Sequence, residues 1–334
     1  MGEFYQVKIL ITGVAGLLGS HLSRYLLDKG YSVIGIDDLS GGYLDFLPVH
    51  KNFSFYNRTI GVDDVSDIFE TEKPRTVFHF AAYAAEGLSP FIRCFNYQNN
   101  VIASASIVNE CIKHNSKLVF TSSMAVYGEQ LPPFKEEMLP SPIDPYGIAK
   151  YAVEMDVKQA GEQFGLRYNI VRPHNVLGVY QNIWDKYRNV IGIFIRRTLN
   201  NEPMIVYGDG EQTRAFSDIS FYMRPFQSLI EGHDGETFNI GADKKWSIKE
   251  VANIIAKVAY LNGYEPKIIH AEKRHEAKHA FCDHSKAKSL LDFKDETNLE
   301  KLISEMFLWA EKQPKREEKL MNYEVEKGLY SYWS

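Results

Sequence analysis

Gly13, Gly16 and Gly19 stand between a short apolar run, Val7 to Thr12, and a stretch from Leu18 to Lys29 in which Leu22, Tyr25 and Leu26 recur at helical spacing. A glycine triplet alone is a weak signal. Set between a strand and a helix it is the phosphate loop of a βαβ unit, which calls for a parallel sheet covered by helices on both faces. Gly13 permits the tight turn, Gly16 lets the backbone approach a pyrophosphate, and Gly19 lets helix and strand pack closely. Leu17 and Leu18 then open the helix whose free N–H groups face the anion. Asp37 follows the second strand, Tyr31 to Ile36, and lies 18 residues after Gly19, with Asp38 beside it. A carboxylate there accepts hydrogen bonds from an adenosine ribose and repels a 2′-phosphate, so the expected cofactor is NAD.

The same rhythm runs on for about a hundred and fifty residues. Strands are expected at Phe53 to Tyr56, Thr76 to Phe80, Lys117 to Thr121 and Arg167 to Arg172, and helices at Val62 to Glu70, Phe95 to His114 and Pro145 to Phe164. The fold class is therefore α/β, a doubly wound Rossmann sheet over residues 1–172 to which the chain returns around 216–242. Residues 173–334 are expected to form mainly a smaller, mixed α/β substrate domain. Its helices lie near Tyr187 to Asn200, Ser247 to Leu261 and Leu299 to Glu311, and a charged segment runs from Glu272 to His284. After the last helix comes a charged tail, expected to be partly mobile.

Charge and cysteine usage narrow the partners. A net charge of −5 gives no global basic field, so neither nucleic acid nor an anionic membrane is expected. No apolar run approaches the roughly 18 residues of a membrane span. Cys94, Cys111 and Cys282 are widely spaced and odd in number, which suits packing thiols in a reducing cytoplasm. His79, His174, His275, His279 and His284 match no standard zinc spacing, and no metal is expected.

Tyr146 and Lys150, in Tyr-Gly-Ile-Ala-Lys, share one face of a helix because they are four apart. An ammonium so placed lowers a phenol pKa from its usual value of about 10 toward neutrality, making a general base for a hydroxyl. Pro142 and Pro145 punctuate the chain before that helix, and Thr121-Ser122-Ser123 ends a buried strand where a hydroxyl can reach a substrate oxygen.

These motifs resemble the extended short-chain dehydrogenase/reductases, and within them the NAD-dependent nucleotide-sugar 4-epimerases and dehydratases, over nearly the whole chain. The resemblance is carried by Ile-Thr-Gly-Val-Ala-Gly-Leu-Leu-Gly at 11–19, Phe-His-Phe-Ala-Ala at 78–82, Thr-Ser-Ser-Met-Ala-Val-Tyr-Gly at 121–128, Asp-Pro-Tyr-Gly-Ile-Ala-Lys at 144–150, Arg-Pro-His-Asn-Val at 172–176 and Gly-Asp-Gly-Glu-Gln-Thr-Arg at 208–214. It implies a catalytic triad of Ser123, Tyr146 and Lys150. It also implies that Phe80, Ala81, Ala82, Asn100 and His174 line the NAD, and that Asn175, Arg214 and Arg274 hold a substrate diphosphate, with Met124 at the sugar and Gln181 to Arg188 as a further sugar-facing loop. Homodimerisation through the helices at Phe95 to His114 and Pro145 to Phe164 is implied as well.

A 4,6-dehydratase of this kind carries an Asp-Glu pair just after the catalytic hydroxyl. Here the pair is Met124 and Ala125, and neither can move a proton. That favours 4-epimerisation by transient C4 oxidation, with a UDP-hexose as first substrate. The alternatives are a C4 dehydrogenase, a 4,6-dehydratase acting on a GDP-, dTDP- or CDP-sugar, a reductase of small carbonyls, and a non-catalytic NAD-sensing scaffold. Tyr56-Asn57-Arg58-Thr59 departs from the family, which commonly places an Asp for adenine there, and Ala84 stands where some epimerases have a Lys.

Overall fold

The computed structural model describes residues 7–273, 278–318, 320–330 and 333. Seven short strands form one fully parallel sheet: β1 (Lys8–Thr12), β2 (Ser32–Asp37), β3 (Phe53–Asn57), β4 (Thr76–His79), β5 (Lys117–Thr121), β6 (Tyr168–Pro173) and β7 (Thr237–Ile240). Their order is β3-β2-β1-β4-β5-β6-β7. The sheet is therefore doubly wound, and its order reverses between β1 and β4, where such folds open a crevice at the carboxyl ends of the strands. Register brings those ends together, because Thr12 pairs with both Ile36 and His79. The six strands expected from the sequence are present within a residue or two, and β7 adds to the sheet beside β6.

The inner strands are apolar on both faces, and alternate residues feed two cores. Ile9, Ile11, Phe78, Val119 and Val171 pack on one side with residues of α1 (Leu17–Asp28) and of the segment through Phe226. Leu10, Ile34, Val77, Leu118, Phe120 and Ile170 pack on the other, against α4 (Ala103–Lys113) and α5 (Pro145–Phe164). The expected helix at Phe95 to His114 is composite: α3 (Arg93–Tyr97) passes through a π-turn at Gln98–Ile102 into α4. Two other elements complete this half, α2 (Ser66–Glu72) and α7 (Met223–Ser228).

The boundaries of α5 follow from its ends. The Asp144 carboxylate accepts the Gly147 N–H at 2.9 Å, Pro145 occupies the first turn, and Gly165 ends the helix at φ +71°. This start fixes Tyr146 in the first turn and Lys150 one turn later.

The smaller half has its own core between α6 (Val190–Leu199), α8 (Ile248–Leu261) and α10 (Leu299–Glu311). Ser247 and Glu250 start α8 with reciprocal capping bonds. The segment before α10 is shared with the larger half, since Ala287 and Leu291 join the core beside Phe226. No helix among the described residues is long and apolar enough to cross a membrane.

Candidate active site

A cleft of about 860 Å³ opens at the carboxyl ends of the strands, lined by both halves of the chain. Its floor at β1 is a surface only glycine can form. Gly13 has φ +68°, and a Cβ there would lie 2.8 Å from the Ala81 nitrogen. A Cβ on Gly19 would lie 2.3 Å from the Gly13 carbonyl oxygen, so α1 packs against the turn at backbone distance. Gly16 is the N-cap of α1 and gives no side-chain cap, and no acid occupies the first turn. The helix thus presents unsatisfied N–H groups and the positive end of its dipole, the arrangement an anion needs. Leu17 and Leu18 line the cleft above it.

Asp37 ends β2 at the cleft wall and is 8% exposed. Its Oδ2 accepts the Ala15 N–H at 2.9 Å and its Oδ1 the Leu39 N–H at 2.8 Å. Burial pushes its pKa up, opposed by those two backbone donors. Each oxygen keeps a further acceptor position for a ribose hydroxyl. Asp38 also lines the cleft and accepts the Ser40 N–H. Arg58 and Thr59, from the segment that departs from the family pattern, line the same end. A cradle free of Cβ atoms, an uncapped helix start and a carboxylate at the next strand end together fit a dinucleotide.

Phe80, Ala81 and Ala82 line the cleft beyond β4. Asn100 and His174, also expected along the NAD, are buried and are not part of that lining. The π-turn carries Asn100 inward, where its Oδ1 accepts the Tyr83 N–H at 3.1 Å and its amide donates to the Tyr83 carbonyl at 3.2 Å and to Asn96 Oδ1 at 2.9 Å. It clamps the loop that lines the cleft instead of lining it. His174 turns away after β6 and stacks on His284 with ring centroids 4.9 Å apart. A Cβ on Gly241 would lie 2.0 Å from its ring, and burial drives its pKa down to about 3, so the imidazole is neutral.

Ser123, Tyr146 and Lys150 converge at the carboxyl end of β5, and all three line the cleft. Lys150 Nζ donates to the Thr121 carbonyl at 2.9 Å and lies 5.9 Å from the centre of the Tyr146 ring. Ser123 Oγ accepts the Ala125 N–H at 3.1 Å and is a hydrogen-bond partner of the Tyr146 phenol. The electrostatics differ from the simple expectation. Burial pushes the Tyr146 phenol above its ordinary pKa, the Glu86 carboxylate adds to this, and the Ser123 bond opposes it. Burial also pulls the Lys150 ammonium down to about 7. Burial dominates at both groups, so an added positive charge beside the phenol is what would favour its anion. Met124 and Ala125 line the cleft directly after Ser123.

Behind this triad lies a buried network, one helical turn beyond Lys150. Glu154 is fully buried, and its Oε1 accepts the Ser122 hydroxyl at 2.6 Å and Arg172 Nε at 2.8 Å, while its Oε2 accepts Arg172 Nη2 at 2.6 Å. Arg172 Nη1 donates to the Tyr127 hydroxyl at 2.7 Å, which in turn donates to Asn239 Oδ1 at 2.8 Å. The network ties β5, β6, β7 and α5 together beneath Ser123. Sequence reading passed over Glu154, although the spacing Tyr146, Lys150, Glu154 repeats every four residues and marks one inward stripe.

On the other wall, Asn175 takes φ +43° and its amide donates to the Ala215 carbonyl at 3.0 Å. Arg214, on the short strand Thr213–Ala215, lines the cleft with it. Arg274 lies outside the described residues. Of the expected sugar-facing loop, Gln181, Asn182, Lys186, Tyr187 and Arg188 line the cleft, and Arg188 is held by Asp185 at 2.9 Å. Beyond α10, Tyr323, Tyr330 and Trp333 pack against Phe91 and Tyr187.

Comparison with known proteins agrees with this architecture. Residues 9–241 match the model of the NAD dependent epimerase/dehydratase family. The chain is 30% identical to a UDP-glucose 4-epimerase of Halalkalibacterium halodurans, over 92% of this chain and 97% of that protein. The structure of the Thermotoga maritima UDP-glucose 4-epimerase with UDP-glucose superposes with a TM-score of 0.84 at 30% identity, covering 91% of this chain and 98% of the other. The Bacillus cereus UDP-glucuronic acid 4-epimerase, in complex with UDP-glucuronic acid and NAD, gives 0.82 at 27% identity over 91% and 98%. The chain belongs to the NAD-dependent epimerase/dehydratase family.

Proposed function

We propose that the chain is an NAD-dependent 4-epimerase of nucleoside-diphosphate sugars, with a UDP-hexose as first substrate. The observation that carries this reading is the triad of Ser123, Tyr146 and Lys150 lining the cleft next to Met124 and Ala125. NAD, when bound, supplies a hydride acceptor and, in its oxidised form, a positive charge. Gly13, Gly16, Leu17, Leu18 and Asp37 hold it, with Phe80, Ala81 and Ala82 along its path. The Tyr146 oxygen takes the proton of the sugar C4 hydroxyl, Ser123 hydrogen-bonds the same oxygen, and Lys150 holds positive charge nearby. Neither Met124 nor Ala125 can protonate a leaving hydroxyl or take a ring proton. The 4-keto sugar then turns over and is reduced on its opposite face. Asn175 and Arg214 hold the diphosphate, with Arg274 completing the set; an Arg fork suits that group.

The outer face of α5 and the π-turn that leads into α4 support a homodimer, because Ile102, on the turn, and Ile148 and Met155, on α5, are 50%, 42% and 53% exposed. The free thiols of Cys94, Cys111 and Cys282 suit a reducing cytoplasm.

The test is incubation with UDP-, GDP-, dTDP- and CDP-hexoses, with products resolved by NMR. A C4 epimer is expected without accumulation of NADH, and Tyr146→Phe should lower its rate by about 10²–10⁴ with NAD binding retained. Accumulated NADH with no epimer would replace this reading with a C4 dehydrogenase, and full function in Tyr146→Phe would point to a scaffold.

A further inference from the structure

The segment after α10 bears on the cleft from outside the stretch that the family model matches. It crosses to the larger half and is fixed there at several points. The Glu324 carboxylate accepts the N–H groups of Cys94 at 2.7 Å and Phe95 at 2.8 Å, and the Glu324 N–H donates to the Phe91 carbonyl at 2.8 Å. The hydroxyls of Tyr323 and Tyr187 bond at 2.7 Å, and Tyr323 also donates to the Trp333 carbonyl at 2.9 Å. The Trp333 ring lies 5.3 Å from that of Tyr187 and 5.9 Å from that of Phe91, and the residue is 6% exposed.

This strap rests on the turn Glu86–Phe91, which packs beside Tyr146. A Cβ on Gly87 would lie 3.6 Å from the Trp333 ring. Glu86, one residue earlier, bears electrostatically on the Tyr146 phenol, and Ser89 Oγ accepts the Tyr146 N–H at 3.2 Å. Tyr330 and Trp333 both line the cleft. Aromatic rings with polar tips, set beside a hydroxyl-activating triad, match a pyranose: the ring face covers its C–H groups, and the phenol or indole N–H reaches its rim hydroxyls.

We propose that the C-terminal strap is the sugar-side wall of the cleft, with Trp333 and Tyr330 as specificity-determining residues for the hexose and Glu324 as the positioning residue that anchors them. The proposal rests on the nucleotide-sugar reading above. It separates the two ends of the substrate, because the strap meets the sugar while Asn175 and Arg214 meet the diphosphate.

The experiment compares UDP-glucose with UDP alone on the NAD-loaded protein by calorimetry. In Tyr330→Ala/Trp333→Ala, affinity for UDP-glucose should fall about tenfold or more while affinity for UDP changes by less than about twofold. Glu324→Gln keeps the shape of the anchor and weakens it, and should raise KM for the sugar nucleotide about two- to fivefold with kcat preserved. Equal losses for UDP-glucose and UDP, or no loss for either, would overturn the strap's role. If the wild-type protein binds UDP no less tightly than UDP-glucose and turns over none of the panel sugars, the functional reading fails and takes the strap with it; that outcome is seen before any variant is made.

Discussion

Replacing Arg172 by Met tests whether the network beneath Ser123 holds the site in place. Arg172 and Glu154 are 1% and 0% exposed, and their two contacts of 2.8 and 2.6 Å form a fork on one carboxylate. Met fills a similar space but leaves the Glu154 carboxylate in a dry interior with only the Ser122 hydroxyl to satisfy it. The loss is therefore the cost of an uncompensated buried charge, about 3–5 kcal/mol, and not the net worth of the pair. About 3 kcal/mol shifts the folding equilibrium more than a hundredfold. Adding Glu154→Gln removes the stranded charge and keeps an acceptor for Ser122, so the double variant should regain at least half of the loss. Urea unfolding followed by tryptophan fluorescence at fixed NAD concentration measures both, with an unchanged slope required for the comparison. A single variant that loses under about 1 kcal/mol, or a double variant no more stable than the single, would refute the reasoning.

Two further outcomes follow from the site. Gly13→Ala puts a Cβ 2.8 Å from the Ala81 nitrogen at φ +68°, so the loop must shift and NAD affinity should fall at least about tenfold, read by tryptophan quenching. Lys150→Met should make the NAD-free protein more stable at neutral pH, because burial lowers the ammonium from 10.5 to about 7. Between those values the unfolded chain binds more protons, so the wild type gains stability as pH rises, and the penalty is full below about pH 7. The advantage of Lys150→Met should be a few kcal/mol near pH 6–7 and fade toward pH 10, while activity is lost at every pH. A pH-independent difference in denaturation midpoints would contradict it.

What the sequence revealed tracks how local each signal is. β1, β2, β4 and β5 are short, mostly apolar runs between turn residues, and Tyr146 and Lys150 declare themselves by spacing within one helix. Asp144, Pro145 and Gly165 mark the ends of that helix. The surroundings of Asn100 and His174 are not legible in spacing, because they come from elsewhere in the chain: the Tyr83 backbone closes over one, and Gly241 and His284 close over the other. The π-turn that rotates Asn100 inward leaves no periodic trace in Gln98–Ile102. The tail was illegible for the same reason. Its aromatic residues are scattered among charges without helical or strand period, and Glu324 meets a backbone N–H 230 positions away. The raised phenol pKa of Tyr146 was equally hidden, since spacing shows the neighbouring ammonium but not the burial that opposes it.

Hydrogen removed from C4 should return to C4, because Met124 and Ala125 offer no proton donor or acceptor for a dehydration step. Turnover of a nucleotide-hexose in D2O, with the product followed by NMR, tests it directly. The account predicts a C4 epimer with no solvent deuterium on any ring carbon. Deuterium at C5, or loss of the C6 hydroxyl, would contradict it.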